Sequence, residues 1–178
     1  MADTYSVMDL LTDEIKDLYS AEKQLTKAIP KMANGSTDPG LKEAFRAHLK
    51  ETQQQVARLE KVAELLEIKP SGKKCVGMEG CISEGAEALG EQGDERILDL
   101  GIIGAGTRVE HYVMAGYMTA ISLAERIGRS DVVAFLKESL AEERAADQKL
   151  RSIGVGLLKR APAQQIAKAQ QQQDQTHA

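Results

Sequence analysis

The chain has 178 residues, 23 Lys+Arg against 27 Asp+Glu, and a formal net charge of −4, which suits one compact domain with a sizeable core. At 42% hydrophobic and 28% charged it is too apolar for a disordered chain, and at 3% aromatic with no Trp it is a poor candidate for a β-sandwich or barrel. The mild acidity argues against nonspecific nucleic-acid binding, which needs a basic face.

The first strong helical pattern runs from about Asp3 to Ala33 and ends in the breaker cluster Asn34-Gly35-Ser36-Thr37-Asp38-Pro39-Gly40. A second runs from Pro39, capped by Asp38, to about Ile68, where Pro70-Ser71-Gly72 stops it. The linker from Lys69 to Gly93 holds CVGMEGCISEGAEAL, the pattern of a short extra helix. A third long segment covers Asp94 to Ile127, with Gly128 as its C-terminal cap, and a fourth follows Ser130, read as its N-cap, to about Lys159. Each long segment predicts a helix of about 45 Å. Short joints within each pair predict two antiparallel hairpins, and the long linker predicts a crossover between them. The expected fold is therefore all-α, a four-helix bundle over residues 1–160 with a short fifth helix in the crossover. The Gln-rich stretch 161–178 lacks an apolar face and is expected to be a disordered tail.

The N-terminus carries no signal-peptide pattern, and no stretch reaches the roughly 18 apolar residues of a spanning helix. Only two cysteines occur, Cys75 and Cys81. These features predict a cytoplasmic protein with reduced thiols, no membrane partner and no nucleic-acid partner.

The apolar stripes turn acidic in mid-helix. The first reads Met8, Leu11, Ile15, Leu18, Glu22, Leu25, Ile29; the second reads Leu41, Phe45, His48, Thr52, Gln55, Leu59, with Glu51 beside it. The third reads Ile103, Thr107, Glu110, Met114, Tyr117, Ile121; the fourth reads Val133, Leu136, Leu140, Glu143, Asp147, Leu150. Counted from the hairpin turns, the acidic positions fall at similar heights, so they predict one carboxylate layer. A lone buried carboxylate costs several kcal/mol unless protonated, paired or metal-bound, and no Lys or Arg lies on these stripes. A pair of divalent cations would neutralise the layer. Oxygen ligands with one imidazole suit iron, with manganese as the alternative. The predicted ligands are Glu22, His48, Glu51, Glu110, Glu143 and Asp147. Taken singly, each Glu has the plainer reading of an edge residue, and Tyr112 and Tyr117 offer hydroxyls that would pair with carboxylates without a metal.

Four motifs carry a family resemblance: DLYSAEKQL around Glu22, AHLKETQQQV around His48 and Glu51, VEHYVMAGY around Glu110, and LAEERAADQKL around Glu143, with KCVGMEG in the linker. Over residues 6–158 the sequence resembles the ferritin-like superfamily and, within it, the YciE/YciF family of stress-associated bacterial proteins. The resemblance implies a di-iron site with one Glu from each of two helices and Glu-x-x-His from each of the others. Glu22 and Glu110 match the single Glu residues, and Glu51 and Glu143 match the paired motif. The sequence departs where Gln54 and Ala146 stand in the histidine positions; His48 and Asp147 are the substitutes.

Other signals have plainer readings. His111 and Glu142 lie off the acidic faces and are expected in solvent. Cys75 and Cys81 are read as packed thiols, and Gly101, Gly104 and Gly106 as close-packing positions, with a homodimer through a flat helical face rather than a storage cage. The functional expectations are a ferroxidase-type di-metal protein that oxidises Fe(II) with O2 or peroxide, a manganese catalase-like enzyme on the same site, or a non-enzymatic stress scaffold with a structural acidic layer.

Overall fold

The structure, a computed structural model, describes residues 5–161. It contains five helices: α1 Val7–Gly35, α2 Pro39–Leu65, α3 Val76–Gly90, α4 Glu95–Arg126 and α5 Ser130–Arg160. Helices α1 and α2 pair as one hairpin and α4 and α5 as the other, α2 packs on α5 and α1 on α4, and α3 lies across α4 and α1. This is the all-α ferritin-like bundle with the crossover helix. The stretch 162–178, expected as a disordered tail, lies outside the described residues. Among the described residues no helix is long and apolar enough to cross a membrane.

The helix ends follow from local chemistry. Ser6 and Asp9 form a reciprocal capping box at the start of α1, so the helix begins later than the pattern from Asp3. The helix continues through Pro30, at a cost of about 3 kcal/mol or more. The flanking Ile29, Met32 and Ala33 are buried and offset that cost. Asp38 caps α2 by accepting from the Leu41 amide. Cys75 caps α3, with its Sγ accepting from the Met78 amide. Ser130, expected as the α5 cap, stands inside the first turn; the cap position is Arg129, whose side chain reaches Leu65 O and Asp131 instead. Gly128 has φ +75, a left-handed turn that only Gly adopts freely.

The core is aliphatic. Leu11, Ile15, Leu18 and Leu25 on α1 face Leu41, Phe45, Leu59 and Val62 on α2, closed by Val113, Tyr117, Leu136 and Leu150 from the second hairpin. Gly106 allows this closure: a Cβ there would stand 3.0 Å from Leu150 Cδ1 and 3.4 Å from the Phe45 ring. A buried carboxylate that sequence reasoning missed locks one end. Asp99 accepts from Thr37 N, Thr37 Oγ1 and Asp38 N at 2.7–2.8 Å, tying the α1–α2 turn to α4. Asp99→Ala removes all three charge-assisted bonds and strands two amides. We expect a loss of about 3 kcal/mol in urea unfolding, with the slope unchanged.

Candidate metal centre

Four helices bring side chains to the middle of the bundle because their mid-helix polar residues occupy core-facing positions. Glu22, His48, Glu110 and Glu143 are at most 4% exposed. His48 Nε2 stands 3.3 Å from Glu110 Oε1 and 3.7 Å from Glu143 Oε2, so α2, α4 and α5 meet in one layer. Each of the three offers a ligand atom, and these atoms lie within 4.8 Å of one another. Glu22 enters from α1, where its Oε1 accepts a 2.8 Å hydrogen bond from Tyr117 Oη. Tyr117 thus does what the sequence allowed: it pairs with a carboxylate.

The layer is short of partners. Glu22 Oε2, His48 Nε2, Glu110 Oε2 and both Glu143 oxygens are buried without a hydrogen-bond partner among the described residues. Asp99, with its three donors, shows how this chain satisfies a buried carboxylate when the role is structural. Glu110 and Glu143 have no equivalent. Unpaired buried oxygens converging on an imidazole nitrogen form a hard donor set that fits a divalent cation such as iron or manganese.

The electrostatics follow from burial and crowding. Burial pushes the Glu22 carboxyl up to about 8, against the lowering effect of the Tyr117 hydroxyl and the His48 charge. Burial and then the Glu110 carboxylate hold Glu143 well above the usual range. Burial disfavours the His48 imidazolium, yet the charge and hydrogen bond of Glu110 outweigh it and raise His48 to about 10. Burial acts against the Glu110 anion too, but the His48 charge prevails and lowers it. Without a cation, the His48–Glu110 pair favours its charged form, while burial and mutual repulsion push Glu22 and Glu143 towards the neutral acid.

The other two predicted ligands sit apart from this trio. Glu51 is 42% exposed and lies 3.3 Å from His48 Nδ1, on the far side of the ring from the centre. A carboxylate there fixes the ring and leaves Nε2 facing inward. Asp147 is buried, but Arg151 bonds its Oδ2 and His111 Nε2 lies 3.4 Å from its Oδ1. Arg151, on the same helix, is its charged partner, and its Oδ1 is buried without a hydrogen-bond partner among the described residues. Arg151 follows Asp147 by one turn, so the pairing was readable from spacing alone. His111 is exposed as expected. Glu142, expected in solvent, is instead only 21% exposed, bound by Arg58 across the α2–α5 interface at 2.6 Å and by Gln55 at 3.0 Å. Its partners lie more than 80 residues away in sequence, beyond any local signal.

Tyr112 stays out of the centre. Its hydroxyl lies 3.0 Å from Cys75 Sγ, beside Asp17, and Gly77 makes room for the ring. Both cysteines are free thiols; Cys75 is buried and Cys81 is half-buried. Six residues along helical backbone separate them by about 9 Å, beyond disulfide reach without unwinding α3.

Comparison with known proteins agrees with this fold. Residues 6–163 match the family model described as a domain of unknown function, DUF892. The chain belongs to the DUF892 family. Protein YciF of Escherichia coli K12 is 39% identical over 151 residues, 84% of this chain and 91% of that protein. The crystal structure of the E. coli stress protein YciF superposes with a TM-score of 0.85 at 37% identity, covering 89% of this chain and 100% of that one. YcfI of Rhodopseudomonas palustris gives 0.81 at 43% identity, over 84% and 96% of the two chains. A protein from Xanthomonas campestris gives 0.67 at 25%, over 86% and 97%. The YciE/YciF resemblance read from the four motifs is thus shown. In this DUF892 chain it comes with a buried His/Glu/Glu group at the bundle centre.

Proposed function

We propose that this DUF892 protein is a carboxylate-rich di-metal protein, with iron as its metal, acting as an Fe(II) oxidase in stress protection. The observation that carries the reading is the set of unpartnered buried oxygens facing His48 Nε2. His48, Glu110, Glu143 and Glu22 would hold the ions, with Glu143, both of whose oxygens are unpartnered, as the bridge. Bound iron would supply one-electron exchange with O2 or peroxide. The protein's own contribution is positional. Glu51 holds the His48 ring, Tyr117 holds Glu22, and the aliphatic layers above and below keep bulk water out. E. coli YciF is described as a stress protein, which suits a role in removing Fe(II) or peroxide.

The test is elemental analysis after anaerobic Fe(II) loading, followed by optical monitoring as air is admitted. About two irons per chain and an oxidation transient are expected. Failure of the parent protein to retain iron would overturn the reading.

A second reading has its own observation. The His48–Glu110 pair at 3.3 Å neutralises part of the layer without any cation. A scaffold that keeps a protonated acidic layer would look the same when metal-free. It would bind no metal, and the loading experiment separates the two.

A further inference from the structure

Gln55 stands on the core-facing stripe of α2, two turns after His48, and is fully buried. Its side chain is a planar amide with a donor end and an acceptor end. The donor end is occupied: Nε2 gives a 3.0 Å hydrogen bond to Glu142 Oε2. Arg58 clamps that same carboxylate with two bonds, at 2.6 and 2.7 Å, so the acceptor is held in place. A carboxylate only accepts, so the amide cannot turn over; Nε2 must face Glu142 and Oε1 must point away from it. Oε1 is buried without a hydrogen-bond partner among the described residues.

That open oxygen differs from those of the acids around it. Glu22 and Glu143 relieve their burial by holding protons. An amide has no such escape, and only a donor or a cation satisfies it. Thr52, less than one turn before it and also buried, gives its hydroxyl to His48 O instead. The layer is next to Gln55. Glu143 follows Glu142 in α5, and the Gln55 amide favours the Glu143 anion. Glu143 also lies 3.7 Å from His48 Nε2, so it neighbours both polar residues that α2 sends into the core at this level.

We infer that Gln55 is a neutral oxygen ligand of the central layer, its Oε1 coordinating an ion shared with Glu143 while Glu142 and Arg58 hold the amide the right way round. This rests on the di-metal reading. The chemistry fits: carbonyl oxygens are hard donors that suit Mn(II) and its neighbours. The Nε2–Glu142 bond polarises the amide, as outer carboxylates do for ligating imidazoles. Gln55 thus adds a donor without adding a proton for the ion to displace.

The test compares the full-length parent with Gln55→Met, which keeps the volume and removes both polar ends. Mn(II) affinity, read by calorimetry and by the electron paramagnetic resonance of free Mn(II), should fall at least about tenfold, the scale of losing even an outer partner. The urea midpoint of the metal-free variant should stay at or above the parent's, because the change deletes an unpartnered buried oxygen and leaves Glu142 with Arg58. A residue that merely braces Glu142 gives the opposite pattern, with stability lost and Mn(II) affinity kept. Parental Mn(II) affinity in Gln55→Met, at any stability, overturns the inference. Should the variant lose stability or fail to fold, the parent decides alone. Its Gln55 side-chain carbonyl 13C resonance should move on titration with diamagnetic Zn(II) while those of the other glutamines stay in place. An unmoved resonance in Zn-loaded protein overturns the inference. A parent that retains none of these metals sinks the di-metal reading and Gln55 with it, whereas a parent that loads metal no better than Gln55→Met sinks Gln55 alone.

Discussion

Glu143→Gln should abolish the thermal stabilisation that Mn(II), used as a redox-inert probe, gives the parent protein. At a free metal concentration 100-fold above Kd, one bound ion stabilises by about 2.7 kcal/mol. For a chain of this size that is about 5–10 °C in melting temperature. Glu143 carries both unpartnered oxygens and faces His48, so its loss removes the donor best placed to bridge two ions. The variant should shift by less than about 1 °C with metal. Its metal-free stability at neutral pH should match the parent, because burial and the Glu110 charge already hold Glu143 in the neutral acid form that Gln mimics. The measurement is differential scanning calorimetry with and without Mn(II). A metal shift retained in Glu143→Gln would take Glu143 out of the site. A parent indifferent to metal would leave the scaffold reading in place.

The periodicity made the bundle legible. Glu22, His48, Glu110 and Glu143 stand at core positions of four stripes, and counting residues from the two turns puts Glu22 level with Glu51, and Glu110 about level with Glu143 and Asp147. The structure brings His48, Glu110 and Glu143 together because straight antiparallel helices preserve such counts at 1.5 Å per residue. What the stripes did not carry was the distinction between a side chain in the layer and one beside it. Glu51 and Asp147 occupy the right helices at the right heights. Their rotamers turn to His48 Nδ1 and to Arg151, choices made by neighbours within one turn. Asp99 and Glu142 were missed for the opposite reason. Their partners Thr37 and Arg58 are more than 60 residues distant, so only the docked hairpins reveal why Asp99 is buried and Glu142 is half-buried.

Metal loading at pH 7 should release close to three protons per chain, one each from Glu22, Glu143 and His48. In the metal-free fold Glu22 is raised from its ordinary 4.5 to about 8, first by burial, and Glu143 lies well above the same value. His48 rises from 6.5 to about 10 because Glu110 overrides its burial. Glu22 and His48 therefore hold protons at pH 7, burial and Glu110 bias Glu143 the same way, and a cation must displace them. Glu110, lowered by His48, has none to give. The apparent affinity should then climb steeply between pH 6 and 8, up to about a thousandfold per unit while three protons compete. Calorimetry in buffers of different ionisation enthalpy counts the protons directly. Metal-free stability should run the other way. Groups whose folded pKa is raised stabilise most below their unfolded values and lose that contribution as pH rises through the folded ones. The metal-free fold should weaken from about pH 5 through 8 for Glu22, and on towards 10 for His48. Glu110 acts oppositely, and its contribution disappears only on the acid side, below its ordinary 4.5. Saturating metal should reverse the alkaline slope, because the displaced protons no longer return. Proton release near zero, with metal bound, would mean that the cation sits outside this layer, and the four-residue site would fall even if the protein holds iron.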